Sequence, residues 1–158
     1  MKKRFETCLV ILLLFTPLIL SSCSSDIPSV DLSRITFGGV SVGDRFEQMK
    51  AAQYTEKTNA STHYNYNYEE LSFSVDNEII SEIMASFGLA NISVNGKMNC
   101  RSVDDIIAVL GKNYRSSWYD KEQSLMQIQY FDRENGLECA FVYDKNGGNL
   151  VWGIMENC

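Results

Sequence analysis

Glu70-Leu71-Ser72-Phe73-Ser74-Val75-Asp76 and Glu138-Cys139-Ala140-Phe141-Val142-Tyr143-Asp144 decide how this chain is read, because they match at an offset of 68 positions. Both stretches are short, rich in aromatic and aliphatic residues, and closed by an aspartate ahead of a turn, so each reads as a strand. The similarity extends outward from this pair. Ile79-Ile80-Ser81-Glu82-Ile83-Met84 falls on Leu150-Val151-Trp152-Gly153-Ile154-Met155 at offset 71. Upstream, residues 35 to 54 align with 92 to 111 at offset 57, setting Ile35-Thr36-Phe37 on Ile92-Ser93-Val94, Gly39 on Gly96 and Phe46-Glu47 on Val103-Asp104. The matches are collinear, and the offset grows only where turns belong.

Each unit can be read locally. Ser102 is a good N-cap with Asp105 three residues on, and Val103, Ile106, Ile107 and Leu110 follow on one helical face until Gly111. Asp44 and Glu47 offer the same start in the first unit, over a thinner face of Phe46, Met49 and Ala52. Leu125 to Phe131 alternates, with Met126, Ile128 and Tyr130 on one side and Gln127 and Gln129 on the other. Leu137 to Tyr143 and Leu150 to Glu156 are further strands, separated by the turn Asp144 to Asn149. In the first unit the strands are His63 to Tyr68, Leu71 to Val75 and Ile79 to Met84. The expectation is an α+β fold of two tandem units, 35–90 and 91–158. Each is a helix plus a three-stranded antiparallel meander, and the helices pack on one face of a shared sheet.

The first 34 residues carry an address. Lys2, Lys3 and Arg4 precede an apolar run from Leu9 to Leu20, too short to span a bilayer comfortably, and Leu20-Ser21-Ser22-Cys23 follows. This resembles the lipobox of bacterial lipoproteins, in which the signal (1–22) is removed and the cysteine is acylated. The resemblance implies lipidation of Cys23, a tether over 23–34, and residence in the cell envelope on the extracytoplasmic side of an outer or cell membrane, without a membrane-spanning helix. Removing the signal leaves 136 residues with 11 basic and 19 acidic side chains, a net charge of −8. Such a surface repels phosphate backbones, which excludes nucleic acid as partner. Cys100, Cys139 and Cys158 remain, an odd number outside the cytoplasm, so at least one stays free or joins another chain.

A helix plus a short antiparallel meander, repeated after a lipoprotein signal, resembles the β-lactamase-inhibitor-protein-like fold. Single-unit versions include the small lipoprotein of the outer-membrane barrel-assembly machinery. Phe37-Gly38-Gly39-Val40-Ser41-Val42-Gly43-Asp44 looks like the glycine-containing turn that opens such units. The likeness covers about residues 35 to 156 and is one of pattern, and it implies protein binding without catalytic residues.

Chemistry-bearing motifs are sparse. His63 is the sole histidine, with no nucleophile elbow among the serines, and a solvated strand-end histidine is the plainer reading. Glu69-Glu70 and Asp104-Asp105 have structural roles at a strand entry and a helix N-terminus. Asp144-Lys145-Asn146 opens like a calcium loop but has Asn149 and Met155 where glycine and glutamate belong. No catalytic residue, metal or cofactor is expected. The unusual stretch is His63-Tyr64-Asn65-Tyr66-Asn67-Tyr68, which as a strand puts Tyr64, Tyr66 and Tyr68 on one face. With Trp118 and Tyr119 they are the candidate contact surface for an envelope or secreted protein, although an ordinary core role for the row competes. The alternative function is a lipid-anchored sensor or carrier of a small apolar ligand. An envelope hydrolase centred on His63 is the third reading.

Overall fold

The structure is a computed structural model, and it describes residues 26–48, 64, 66, 67 and 70–158. The α+β expectation is wrong in class. The described residues are 52% strand and 9% helical, with one α-helix and two sheets among them, in place of two helix-plus-meander repeats with helices on a common sheet. The strands are β1 (Ile35–Phe37), β2 (Tyr66–Asn67), β3 (Leu71–Asp76), β4 (Ile79–Ser86), β5 (Ile92–Val94), β6 (Lys97–Met98), β7 (Arg115–Asp120), β8 (Leu125–Asp132), β9 (Leu137–Asp144) and β10 (Leu150–Asn157), with α1 (Val103–Leu110) between β6 and β7. A seven-stranded sheet runs β2-β3-β4-β10-β9-β8-β7, and a small one runs β1-β5-β6. All pairings within both are antiparallel.

In the first unit the expected helix is described only as far as Gln48. Phe46–Gln48 makes one 3-10 turn, and the Asp44 carboxylate accepts from the Ser41 amide at 2.7 Å, closing the loop before that turn. Met49, Ala52 and His63 lie outside the described residues. In the second unit α1 forms as its capping box dictates: Ser102 Oγ accepts from Asp105 N, and the Asp105 carboxylate accepts from the Ser102 amide. Asp105 also takes the Arg101 amide at 3.0 Å and the Lys97 ammonium at 2.9 Å. The Arg101 amide first, then Lys97 and Ser102, hold its carboxyl well below the usual carboxylate range. Ser102→Ala is expected to cost about 1 kcal/mol, read as a lower urea midpoint at unchanged m-value.

What does recur is a hairpin. In β3–β4 the register jumps from Ser74↔Glu82 to Val75↔Ile80, leaving Ser81 extra. In β9–β10 it jumps from Val142↔Trp152 to Tyr143↔Leu150, leaving Val151 extra. The second strands therefore correspond at offset 70, and offset 71 is wrong by one residue, which would set the buried Ile83 on the outward Ile154. Arg45 bridges Ile79 as Ser102 bridges Asn149, and β1 pairs β5 about Thr36↔Ser93. Each two-residue agreement keeps the 57 offset upstream.

The core lies between the sheets. Phe73, Ile83, Ala85, Phe141, Cys139 and Met155 face inward from the large sheet and join Ile35, Phe37, Ile92 and Val94 of the small sheet and Ile106 and Leu110 of α1. Gly153 lets the layers close, because a Cβ there would sit 2.9 Å from the Phe37 ring. Tyr130 donates to the Gly111 carbonyl at 2.8 Å, fixing the end of α1 to β8.

Candidate functional site

Strand alternation defines what the large sheet turns away from the core. Three transverse rows follow from the register. One is Ser86, Trp152, Val142, Gln127 and Ser117; the next is Met84, Ile154, Ala140, Gln129 and Arg115; the third is Ser74, Glu82, Glu156, Glu138 and Phe131. The third sets three carboxylates directly opposite one another across β4, β10 and β9, an unfavourable arrangement in itself. Neighbours soften it. Ser74 Oγ donates to Glu82 at 3.1 Å, and Gln129 donates to Glu138 at 2.8 Å. Burial, and then Glu156, still push the Glu138 carboxyl above its ordinary value, against the pull of Arg115.

The expected tyrosine row is split between the two faces. Tyr66 opposes Phe73, and its ring lies 4.3 Å from Phe46, which in turn meets Phe73. Tyr66 is thus packed against the core. Tyr64 is buried on the other face, hydrogen-bonded to Glu82, and burial followed by that glutamate drives its hydroxyl pKa up. Tyr68 lies outside the described residues. The other two candidates are exposed, Trp118 at 39% and Tyr119 at 44%. Lys145 sits 4.6 Å above the Trp118 ring, and Tyr119 meets Trp152 edge-on at 5.5 Å.

Trp152, matched at offset 71 to Ser81, faces outward beside Tyr119. Its indole Nε1 is buried and has no acceptor among the described residues, a costly condition. The signal missed was the bulge before it, which inverts the facing of the residues that follow. Tyr119 and Trp152 meet on the outward face, whereas Trp118, paired with Met126, belongs to the opposite face of β7, which among the described residues is an edge strand exposed along most of its length. A register shift between Trp118 and Asp120 turns Tyr119 toward Trp152.

Elsewhere, a cleft of about 190 Å³ opens between the β4–β5 connection and the residues after β6, lined by Leu89, Met98 and Cys100 among others. That is below the ~300 Å³ at which small-molecule pockets begin. Cys100 and Cys139 are free, buried thiols, and burial pushes both upward in pKa, away from thiolate reactivity. No family model, curated protein or solved structure matches this chain.

Proposed function

We propose that this chain is a lipid-anchored, non-enzymatic protein-binding module of the cell envelope, acting as an inhibitor, immunity or assembly accessory, with the β7 corner as its contact surface. The observation that carries the reading is the exposure of Trp118 and Tyr119 on β7, an edge strand among the described residues. Aromatic side chains supply large contact area at low entropic cost, and they dominate interface energetics when a partner desolvates them. An edge strand adds unpaired backbone donors and acceptors, which an extended segment of another protein can use. Trp152 meets Tyr119 on the outward face, with Ile154 and Met84 in the next row on β10 and β4. The acidic row below them favours a partner with basic residues at the matching height.

The test is a photo-crosslinking residue at position 117, on the edge strand, in the full chain in its native envelope. A single adduct is expected, absent from the Trp118→Ala/Tyr119→Ala variant, with affinity for the purified partner falling by at least about 30-fold, as loss of an interface hot spot implies. Unchanged binding by that variant, while Leu89→Ser abolishes it, would move the surface to the cleft and defeat the assignment.

A further inference from the structure

Resting on the lipid-anchor reading, we infer that the β8–β9 turn end of the sheet is the membrane-facing surface of the domain, its partner being the leaflet that holds the Cys23 lipid. The argument is one of chain length. The segment after the anchor is bound to this turn from its first described residues. The Arg133 guanidinium donates to the Ile27 carbonyl, Ser29 Oγ accepts from the Arg133 amide at 3.0 Å, and Val30 N donates to the Phe131 carbonyl at 2.9 Å. Leu32, wholly buried, donates its amide to Asp132 at 2.9 Å.

Four residue steps separate Cys23 from Ile27. Even fully extended they reach about 14 Å. A free chain of the whole 23–34 tether would let the domain tumble at any orientation; one docked from Ile27 onward does not. The acyl group enters the bilayer, so the turn Arg133–Gly136 is confined to within that reach of the headgroups. Cys158 N, bonded to the Gly136 carbonyl at 3.0 Å, comes with it.

The opposite end of the sheet holds the β7–β8 and β9–β10 turns. β8 from Leu125 to Asp132 spans about 23 Å, so Trp118, paired with Met126, and Lys145 above it stand away from the bilayer. The tether thereby presents the β7 corner outward, where another envelope protein can reach it, and no headgroup chemistry is needed because the restraint is covalent.

The experiment uses the full lipidated chain in phosphatidylcholine–phosphatidylglycerol vesicles carrying a rhodamine headgroup lipid. A donor fluorophore is attached through an azide-bearing residue at position 135 or, separately, at position 146. Energy transfer from 135 should exceed that from 146 by about twofold, as one strand length between the turns implies. Inserting a Gly-Ser stretch of about twelve residues between Ser25 and Asp26 should erase the difference, since flexible linkers decouple orientation. Equal transfer from both positions in the parent chain, or greater transfer from 146, overturns the inference while leaving the anchor intact. Intact mass of the N-terminal peptide separates the two claims: an unacylated Cys23 overturns the anchor and this orientation together.

Discussion

Phe37→Ala should lower the stability of this domain by about 4 kcal/mol, the cost usual for truncating a fully buried aromatic ring. Phe37 is 1% exposed, and it is the side chain through which the small sheet fits the large one. Its ring lies where a Cβ on Gly153 would be, 2.9 Å from Cζ and 3.3 Å from Cε1. Removing the ring leaves a void between two sheets that are each held by their own hydrogen-bond ladders, so collapse around it is limited. Against a total of roughly 5–15 kcal/mol for a domain, the loss should lower Tm by on the order of 15 °C. The reciprocal change, Gly153→Ala, should cost about 2 kcal/mol through overpacking. Combining it with Phe37→Leu, which withdraws the clashing ring edge, should cost less than the sum of the two single changes. Strict additivity in urea unfolding would show that the ring and the glycine do not share a contact.

How far the sequence speaks depends on whether the deciding contact is local. The capping box of Ser102 and Asp105, the alternation of β8, and the strands read as Leu137 to Tyr143 and Leu150 to Glu156 are all written within a few residues; the box forms, and the two strands form one residue longer, to Asp144 and Asn157. β7 is not legible, because an edge strand exposed on both faces needs no alternation, and Arg115-Ser116-Ser117-Trp118-Tyr119-Asp120 has none. The small sheet is hidden for a different reason. β1 and β5 are three residues each and meet across a long stretch of chain, so neither carries a pattern that a window can detect. The extra residues Ser81 and Val151 matter most for the site. A bulge moves the following side chains to the opposite face, and the one at Val151 turns Trp152 outward. The tyrosine row divides as well: among the described residues the strand is Tyr66–Asn67, and Tyr64, outside it, meets Glu82 while Tyr66 opposes Phe73. Of the contact surface, Trp118 and Tyr119 were visible from composition alone, while Trp152, the edge and the glutamate row required the register.

Asp132→Ala should be the most damaging change outside the apolar core, at about 3 kcal/mol. The carboxylate is 2% exposed and serves four donors: the Leu32 amide at 2.9 Å, the Glu134 amide at 3.2 Å, the Asn135 amide at 3.1 Å and Asn135 Nδ2 at 2.7 Å. Burial alone would raise its pKa, but the hydrogen bonds from Asn135, Leu32 and Glu134 outweigh it and hold the group below its ordinary value. A depressed folded-state pKa means that the stabilisation is complete above the unfolded value, near about 3.9, and is lost as pH falls through the lower folded value. The stability gap between the parent chain and Asp132→Asn should therefore be flat from neutral pH down to about pH 5 and close in more acidic solution. A gap that widened on acidification would reverse the sign of the coupling. Asp132→Ala also separates fold from anchoring, because the Leu32 amide loses its acceptor while β9 keeps its ladder to β10. Amide exchange at Leu32 and Val30 should accelerate before exchange in β9 and β10 does. A tether loosened in this way would allow the orientation at the membrane to relax even in a domain that remains folded.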